Sequence, residues 1–294
     1  MSEIENKSMN VTDEKWLYEI KPKSGLFELN FKEIWAYRDL LLLFVKRDVI
    51  TLYKQTILGP LWYLIQPLFT SVIFTLIFNN LAGIQTGGVP PFLFNLAGIT
   101  CWNYFKECLV STSDTFKKNE NIFGKVYFPR VIMPLSIVVS NLLKFGIQFG
   151  IFIAFYLYFV LSGNLVRPSI WVLAYPLLII IMGLLGLGLG MIISSMVTKY
   201  RDLTFLVSFG VQLLMYLSLV AYPMSLFDEK LPNYKWLVEI NPMAYVIETN
   251  RFMLLGEGSF SPINLLYLTL AGIFTFLLGL VIFNRTEKSF VDTI

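Results

Sequence analysis

Residues 170–197 read IWVLAYPLLIIIMGLLGLGLGMIISSMV, with no Asp, Glu, Lys or Arg among them. A helix rising about 1.5 Å per residue needs about 20 such residues to cross about 30 Å of hydrocarbon. This stretch therefore reads as a membrane span. Five more apolar runs accompany it, at 58–82, 90–110, 131–161, 203–222 and 263–283. The third (131–161) exceeds the hydrocarbon thickness and is expected to tilt or to project from the membrane. The pattern predicts an all-α membrane protein with six transmembrane helices in residues 57–284.

Composition agrees. Only 15% of residues are charged, against about a quarter in soluble domains, so the chain lacks the polar surface a soluble fold would need. A net charge of +3 is too small to suggest a nucleic-acid partner. Histidine is absent, which removes the commonest metal ligand and general base; no metal site and no catalytic residue is expected. Cys101 and Cys108 lie seven positions apart on one helix face, a spacing that excludes a disulfide and predicts two buried thiols. Residues 1–30 lack the apolar core of a signal peptide and read as a cytoplasmic tail, as do residues 285–294.

Ahead of the first span, residues 31–56 have an amphipathic helical pattern. Phe31, Ile34, Trp35, Leu41, Leu42, Val45, Val49, Leu52 and Tyr53 gather on one side. Lys32, Glu33, Asp39, Lys46, Arg47, Asp48, Thr51, Lys54 and Gln55 gather on the other, and Arg38 interrupts the apolar stripe. A helix of this composition is expected to lie in the membrane interface.

Lys and Arg set the orientation. The second connection carries Lys117, Lys118, Lys125 and Arg130, and the fourth packs Lys199 and Arg201 beside Tyr200 and Asp202. The first has no basic residue and the third only Arg167. Even-numbered connections and both termini are thus predicted to be cytoplasmic.

No G-x-x-x-x-G-K-[ST] occurs, so nucleotide hydrolysis by a P-loop is not expected here. Gly186, Gly190 and Ser194 form a small-xxx-small series within a span, which suits close helix packing. Asn141, Lys144 and Gln148 share a face of the third span. Two readings stand for Lys144: a functional group facing a cavity, or a cytoplasmic overhang reaching lipid headgroups. Trp62, Tyr63, Gln66 and Phe69 in the first span, and Ser208, Gln212, Tyr216 and Ser218 in the fifth, mix aromatic faces with amides and hydroxyls. That mixture suits sugar rings, while helix–helix hydrogen bonding accounts for Gln66 and Gln212 equally well.

Together the motifs resemble the permease subunit of type-2 ABC exporters, in the group that moves O-antigen, capsular polysaccharide and teichoic acid. The resemblance rests on Arg47-Asp48, Leu58-Gly59-Pro60-Leu61-Trp62 and Gln66-Pro67-Leu68. It continues through Lys125-Val126-Tyr127-Phe128-Pro129-Arg130, Pro134-Leu135-Ser136, Tyr200-Arg201-Asp202, Asn241-Pro242-Met243, Arg251 and Leu254-Leu255-Gly256. One departure is visible: Leu219 stands after Ser218 where the family often has Pro. The resemblance implies a homodimeric channel in a bacterial inner membrane, with two copies of a nucleotide-binding subunit that holds ATP and Mg. Its cargo would be a polysaccharide linked to a polyprenyl diphosphate. It further implies that the helix carrying Arg38, Arg47 and Asp48, the loop with Asn119, Glu120, Asn121, Phe123 and Lys125, and the turn Tyr200-Arg201-Asp202 receive the ATPase's motion. Residues 223–262, with Asn241, Pro242 and Arg251, would form short re-entrant helices at the outer face. A permease for lipids or drugs remains the alternative. A membrane-embedded transferase is disfavoured by the missing histidines and the lack of an acidic D-D-x-x-D cluster.

Overall fold

The computed structural model describes residues 31–54, 59–123, 128–164, 166–200 and 202–291. Every regular element among them is helical. Two short helices come first, α1 (Phe31–Ala36) and α2 (Arg38–Tyr53). Next is α3 (Trp62–Phe74), which widens into a π-helical segment over Thr75–Leu81. It is followed by α4 (Pro91–Ser113), the one-turn helices α5 (Thr115–Lys118) and α6 (Glu120–Phe123), and α7 (Ile132–Leu161). A 3-10 turn at Ile170–Ala174 leads into α8 (Tyr175–Lys199). Then come α9 (Leu203–Leu217), α10 (Ser225–Lys230), α11 (Lys235–Glu239), α12 (Pro242–Leu255) and α13 (Pro262–Val291).

Among the described residues, four helical stretches are long and apolar enough to cross a membrane: Trp62–Leu81, Ile132–Leu161, Ile170–Lys199 and Pro262–Thr286. The other two expected spans differ in kind. α4 has the length, at 23 residues, but polar side chains interrupt it. α9 stops at Leu217 after 15 residues, about 22 Å of rise, rather than running on to Tyr222. The expected helix over 31–56 is divided at Tyr37 and ends at Tyr53. The last helix continues through the expected tail as far as Val291.

Local chemistry explains the boundaries. Proline opens α4 at Pro91 and α12 at Pro242, where the missing N–H has no intrahelical partner to lose. Asn241 caps α12 by accepting a hydrogen bond from the Met243 N–H at 3.0 Å, and Gly256, with φ +78°, closes it.

The centre of the bundle is α8, sandwiched between α4 and α13. Both contacts are made by glycine. On one side Gly186 and Gly190 face Cys108 and Thr112 of α4, so the small-residue series does serve helix packing. On the other, Gly188 meets Gly279 of α13: a Cβ on Gly279 would lie 2.3 Å from the Gly188 carbonyl oxygen, and one on Gly188 would lie 2.4 Å from that of Thr275. Backbone meets backbone here, and no side chain can yield. Cys101 and Cys108 are buried free thiols, as expected.

At one end of the bundle an aromatic cluster joins parts distant in sequence. Phe44 of α2 packs on Phe128, Phe123 of α6 packs on both Phe116 and Phe128, and Phe116 stacks on Phe283 of α13. Arg130 lies over the Phe123 ring at 5.1 Å.

Gly279→Ala should lower the thermal midpoint of the detergent-purified chain, by an overpacking cost of about 1–3 kcal/mol. Gly150→Ala on α7 is the control, since a Cβ there meets nothing within 4 Å, and its midpoint should be unchanged.

Candidate functional site

The polar residues of α4 recur at helical spacing, and so do those of α7. The two helices run antiparallel, and their stripes interlock. The Asn103 amide donates to Gln148 Oε1 at 3.4 Å, and one turn further on Lys144 Nζ lies 3.9 Å from Glu107 Oε2. Lys106 Nζ approaches the other Glu107 oxygen at 3.6 Å. Tyr63 of α3 covers the group, its ring centroid 5.3 Å from Lys144 Nζ. Lys144 therefore faces its helix neighbours, with a side chain only 16% exposed, and borders the pocket between α3, α4 and α7. Asn141 is buried in the same pocket, and among the described residues its Nδ2 has no hydrogen-bond partner apart from the weakly accepting Cys108 thiol alongside.

Next to this small pocket, a cavity of about 520 Å³ opens between α3, α4 and α9. Gln66, Thr70, Asn103, Lys106, Ser208 and Gln212 supply polar groups to it, and Trp102 and Met215 supply apolar surface. Gln66 and Gln212 thus share one wall-to-wall space, and Tyr63 and Gln66 border the adjoining pocket. Trp62, Phe69 and Tyr216 do not enter it; they are exposed on the outer faces of α3 and α9. Ser218 is not there either. It is fully buried, donating to the Leu214 carbonyl at 2.7 Å and accepting from Asn241 Nδ2 at 2.9 Å. Sequence reasoning passed over Asn103, Lys106 and Glu107 as site residues, although the i, i+4 repeat of Asn103 and Glu107 matches the Lys144–Gln148 repeat in reverse.

The Ser218 contacts belong to a second polar centre, which manages the early end of α9. Carbonyls at a helix end inside an apolar bundle must find donors. Leu219 takes a left-handed conformation, φ +61°, and turns the chain back. Asn241 Nδ2 donates to the Leu217 carbonyl at 3.1 Å, and the Tyr222 hydroxyl donates to that of Tyr216. Arg251 serves the next two: Nη2 donates to the Val220 carbonyl at 2.7 Å and Nη1 to the Tyr222 carbonyl at 3.3 Å. Its charge is balanced by Glu248 at 3.3 Å, and the guanidinium carbon sits 3.6 Å from the centroid of the Phe94 ring. Glu248 in turn accepts from the Ser259 N–H at 3.1 Å. Gly98 leaves room for this arrangement, since a Cβ there would lie 2.7 Å from the Val220 oxygen.

At the end of the bundle bearing the aromatic cluster, Arg47 and Asp48 form a two-pronged pair at 2.9 and 2.8 Å. Asp48 Oδ2 also lies 3.5 Å from the hydroxyl of Ser140 on α7, which donates to the Ser136 carbonyl at 2.8 Å. Asp48, placed by its pattern on the polar side of the helix, is in fact turned inward. α2 buries Phe44 and Val45 against the bundle and leaves Leu42, Leu43 and Ile50 exposed, as is Trp35 of α1. Asn119 is buried and donates to the Thr115 carbonyl at 2.9 Å. Arg38, Tyr200 and Asp202 are exposed. Lys125 and Arg201 lie outside the described residues, as do the side chains of Glu120 and Asn121.

Residues 39–255 match the model of the family described as ABC-2 type transporter. The chain belongs to this family. As an ABC-2 transporter it is a multi-pass membrane protein and a transport subunit, and family membership implies an ATP-binding partner. Among curated proteins it is similar to two O-antigen export system permease proteins, both RfbA, from Klebsiella pneumoniae. Each is 29% identical, with 86% of this chain and 94% of the relative covered. The RfbA of Myxococcus xanthus is 25% identical over 72% of this chain and 79% of its own length. Among the segments that carried the sequence resemblance, those from Arg47 to Leu255 fall inside the family match.

Arg251→Met leaves Glu248 buried without its partner and two carbonyls without donors, a loss of about 3–5 kcal/mol. It should abolish monodisperse elution of the purified chain. Glu248→Gln keeps both carbonyl contacts and should cost less, visible as a folded species with a lowered thermal midpoint.

Proposed function

We propose that this ABC-2 transporter is the membrane subunit of an ATP-driven exporter carrying an O-antigen-like polysaccharide, linked to a polyprenyl diphosphate, out of the cytoplasm. The observation that carries this reading is the match to O-antigen export permeases over nearly the whole length of both chains. The cavity between α3, α4 and α9 supports it, because amides, hydroxyls and an indole line one space, the mixture that suits a sugar chain.

In this proposal the protein crosses a bacterial inner membrane six times, with α4 and α9 as the second and fifth passes. The turn after α9, together with α10 to α12, forms a re-entrant outer segment. Both termini face the cytoplasm. The distribution of Lys and Arg supports that orientation, and so does the gathering of α2, α5, α6 and the Phe283 end of α13 at one end of the bundle. The chain works as a homodimer, with the exposed apolar faces of α3 and α9 available to a second copy. Two ATP-binding subunits dock below and hold ATP and Mg; this chain needs no cofactor of its own.

α2 lies in the interface and receives the push of ATPase closure. Its attachment explains how a push is passed on. Phe44, Phe123 and Phe128 form one packed unit, and the Arg47–Asp48 pair reaches Ser140 on α7. Movement of α2 or of the loop over residues 119–123 is then handed to α7 and, through Glu107 and Lys144, to α4.

Two measurements test this. The chain should co-purify with an ATP-binding subunit encoded beside it, and its deletion should remove a surface polysaccharide; intact surface polymer in the deletion strain refutes the reading. Phe123→Ala should reduce polymer export at least several-fold while ATP hydrolysis by the complex continues, a dissociation read by assaying both on one preparation.

A further inference from the structure

The two Lys and one Glu of the pocket do not balance: Lys106 and Lys144 against Glu107 leave one net positive charge inside the helix bundle. Ionisable groups set between apolar helices are costly and are retained where they meet a ligand, a pathway or each other. Meeting each other does not account for them fully here. Both lysines touch the same carboxylate at 3.6 and 3.9 Å, distances longer than the roughly 2.7–2.9 Å of a tight charge-assisted hydrogen bond. Around them stand amide groups with donors to spare. Asn141 Nδ2 is buried and lacks a strong acceptor, and Gln66 and Gln212 border the cavity with no side-chain hydrogen bond to a neighbour among the described contacts. A cavity of about 520 Å³ adjoins, large enough for a diphosphate and the first sugar or isoprenoid unit.

Depth points the same way. Lys106 lies seven residues, about 10 Å of helix rise, from the Ser113 end of α4. Gln66 and Ser208 sit within the first two turns of α3 and α9. All these helix ends point to the side of the aromatic cluster. The mouth of the cavity, where Gln66, Ser208 and Gln212 are exposed, therefore lies between α3 and α9 toward the aromatic-cluster end of the bundle.

We infer that Lys106 and Lys144, set against Glu107 and helped by the Asn103 and Asn141 amides, form an anion subsite for the phosphate groups of a lipid-linked substrate. It rests on the export reading above and adds where the charged end of the cargo is held. Glu107 competes with the phosphates for both ammonium groups. Arrival of a diphosphate releases the carboxylate, and departure of the cargo restores the pairs, so the lysines are never left bare in the bundle. Lysine suits the task, since its compact charge on a flexible stem can turn from one oxygen to another.

The test uses the full chain in nanodiscs of zwitterionic phosphatidylcholine and measures binding of a long-chain polyprenyl diphosphate by native mass spectrometry. Lys106→Gln/Lys144→Gln should weaken binding by tenfold or more. Glu107→Gln should tighten it several-fold, an opposite sign that a purely structural ion cluster would not give. Phosphatidylglycerol in equal amount should compete poorly with the diphosphate. Lys144→Arg keeps the charge and serves where the glutamine variants elute as aggregates; it should bind within a few-fold of the unaltered chain. Binding indifferent to both lysines, weaker binding in Glu107→Gln, or equal competition by phosphatidylglycerol overturns the inference, the last by making this a general phospholipid site. Any of these together with loss of surface polymer in the deletion strain removes the subsite alone. Intact polymer in that strain removes the export reading itself.

Discussion

No backbone carbonyl can be left without a donor where water is excluded, and the end of α9 is where this protein must meet that demand. α9 stops at Leu217, and the chain turns through Leu219 in a conformation that a β-carbon disfavours. The turn stands because donors converge on it from elsewhere: Asn241 from the start of α12, Arg251 from its middle, Tyr222 from the turn itself. Arg251 is at once the donor, half of a buried ion pair and the partner of the Phe94 face. This one guanidinium ties α12 to α4 and to the turn that follows α9.

A second constraint is the sharing of charge between α4 and α7. Neither Lys144 nor Glu107 is tolerable alone among apolar helices. Interlocked at one register, with Asn103 and Gln148 a turn away, they set how α4 and α7 may slide, because a shift of one residue would separate every pair in the stripe. The same register leaves the surplus cation facing the cavity. Stability and recognition here draw on the same side chains, so a variant at Lys144 can be judged only with folding and binding measured together.

What could be read in the linear sequence followed the reach of each signal. Hydropathy reports average burial in lipid, and it located the long helices within a few residues, except for the far end of α13, which runs on to Val291. It did not locate the end of α9, because Leu219-Val220-Ala221 is as apolar as the helix before it and a reversal in φ leaves no mark on hydropathy. The stripe on α7 was legible by its spacing, whereas nothing in the sequence singled out Lys106 and Glu107, whose partner stands on a facing helix. The spacing marks Asp48 as polar but not its neighbour Ser140 on α7, because the way α2 packs is fixed by Phe44 meeting Phe128, a contact across some eighty residues. Arg251 was marked by resemblance alone; its position gave no hint that its partners would be bare carbonyls.

The meeting of Gly188 with Gly279 bears on how the chain is assembled. α8 enters the bilayer long before α13 has been synthesised, and α4 can cover only one of its two glycine faces. Until the last helix arrives, the other face is a shallow trough of peptide backbone turned toward acyl chains. Biogenesis thus has a late closing step, and a ribosome that stopped short of Gly279 would release a bundle whose central helix lacks its second wall.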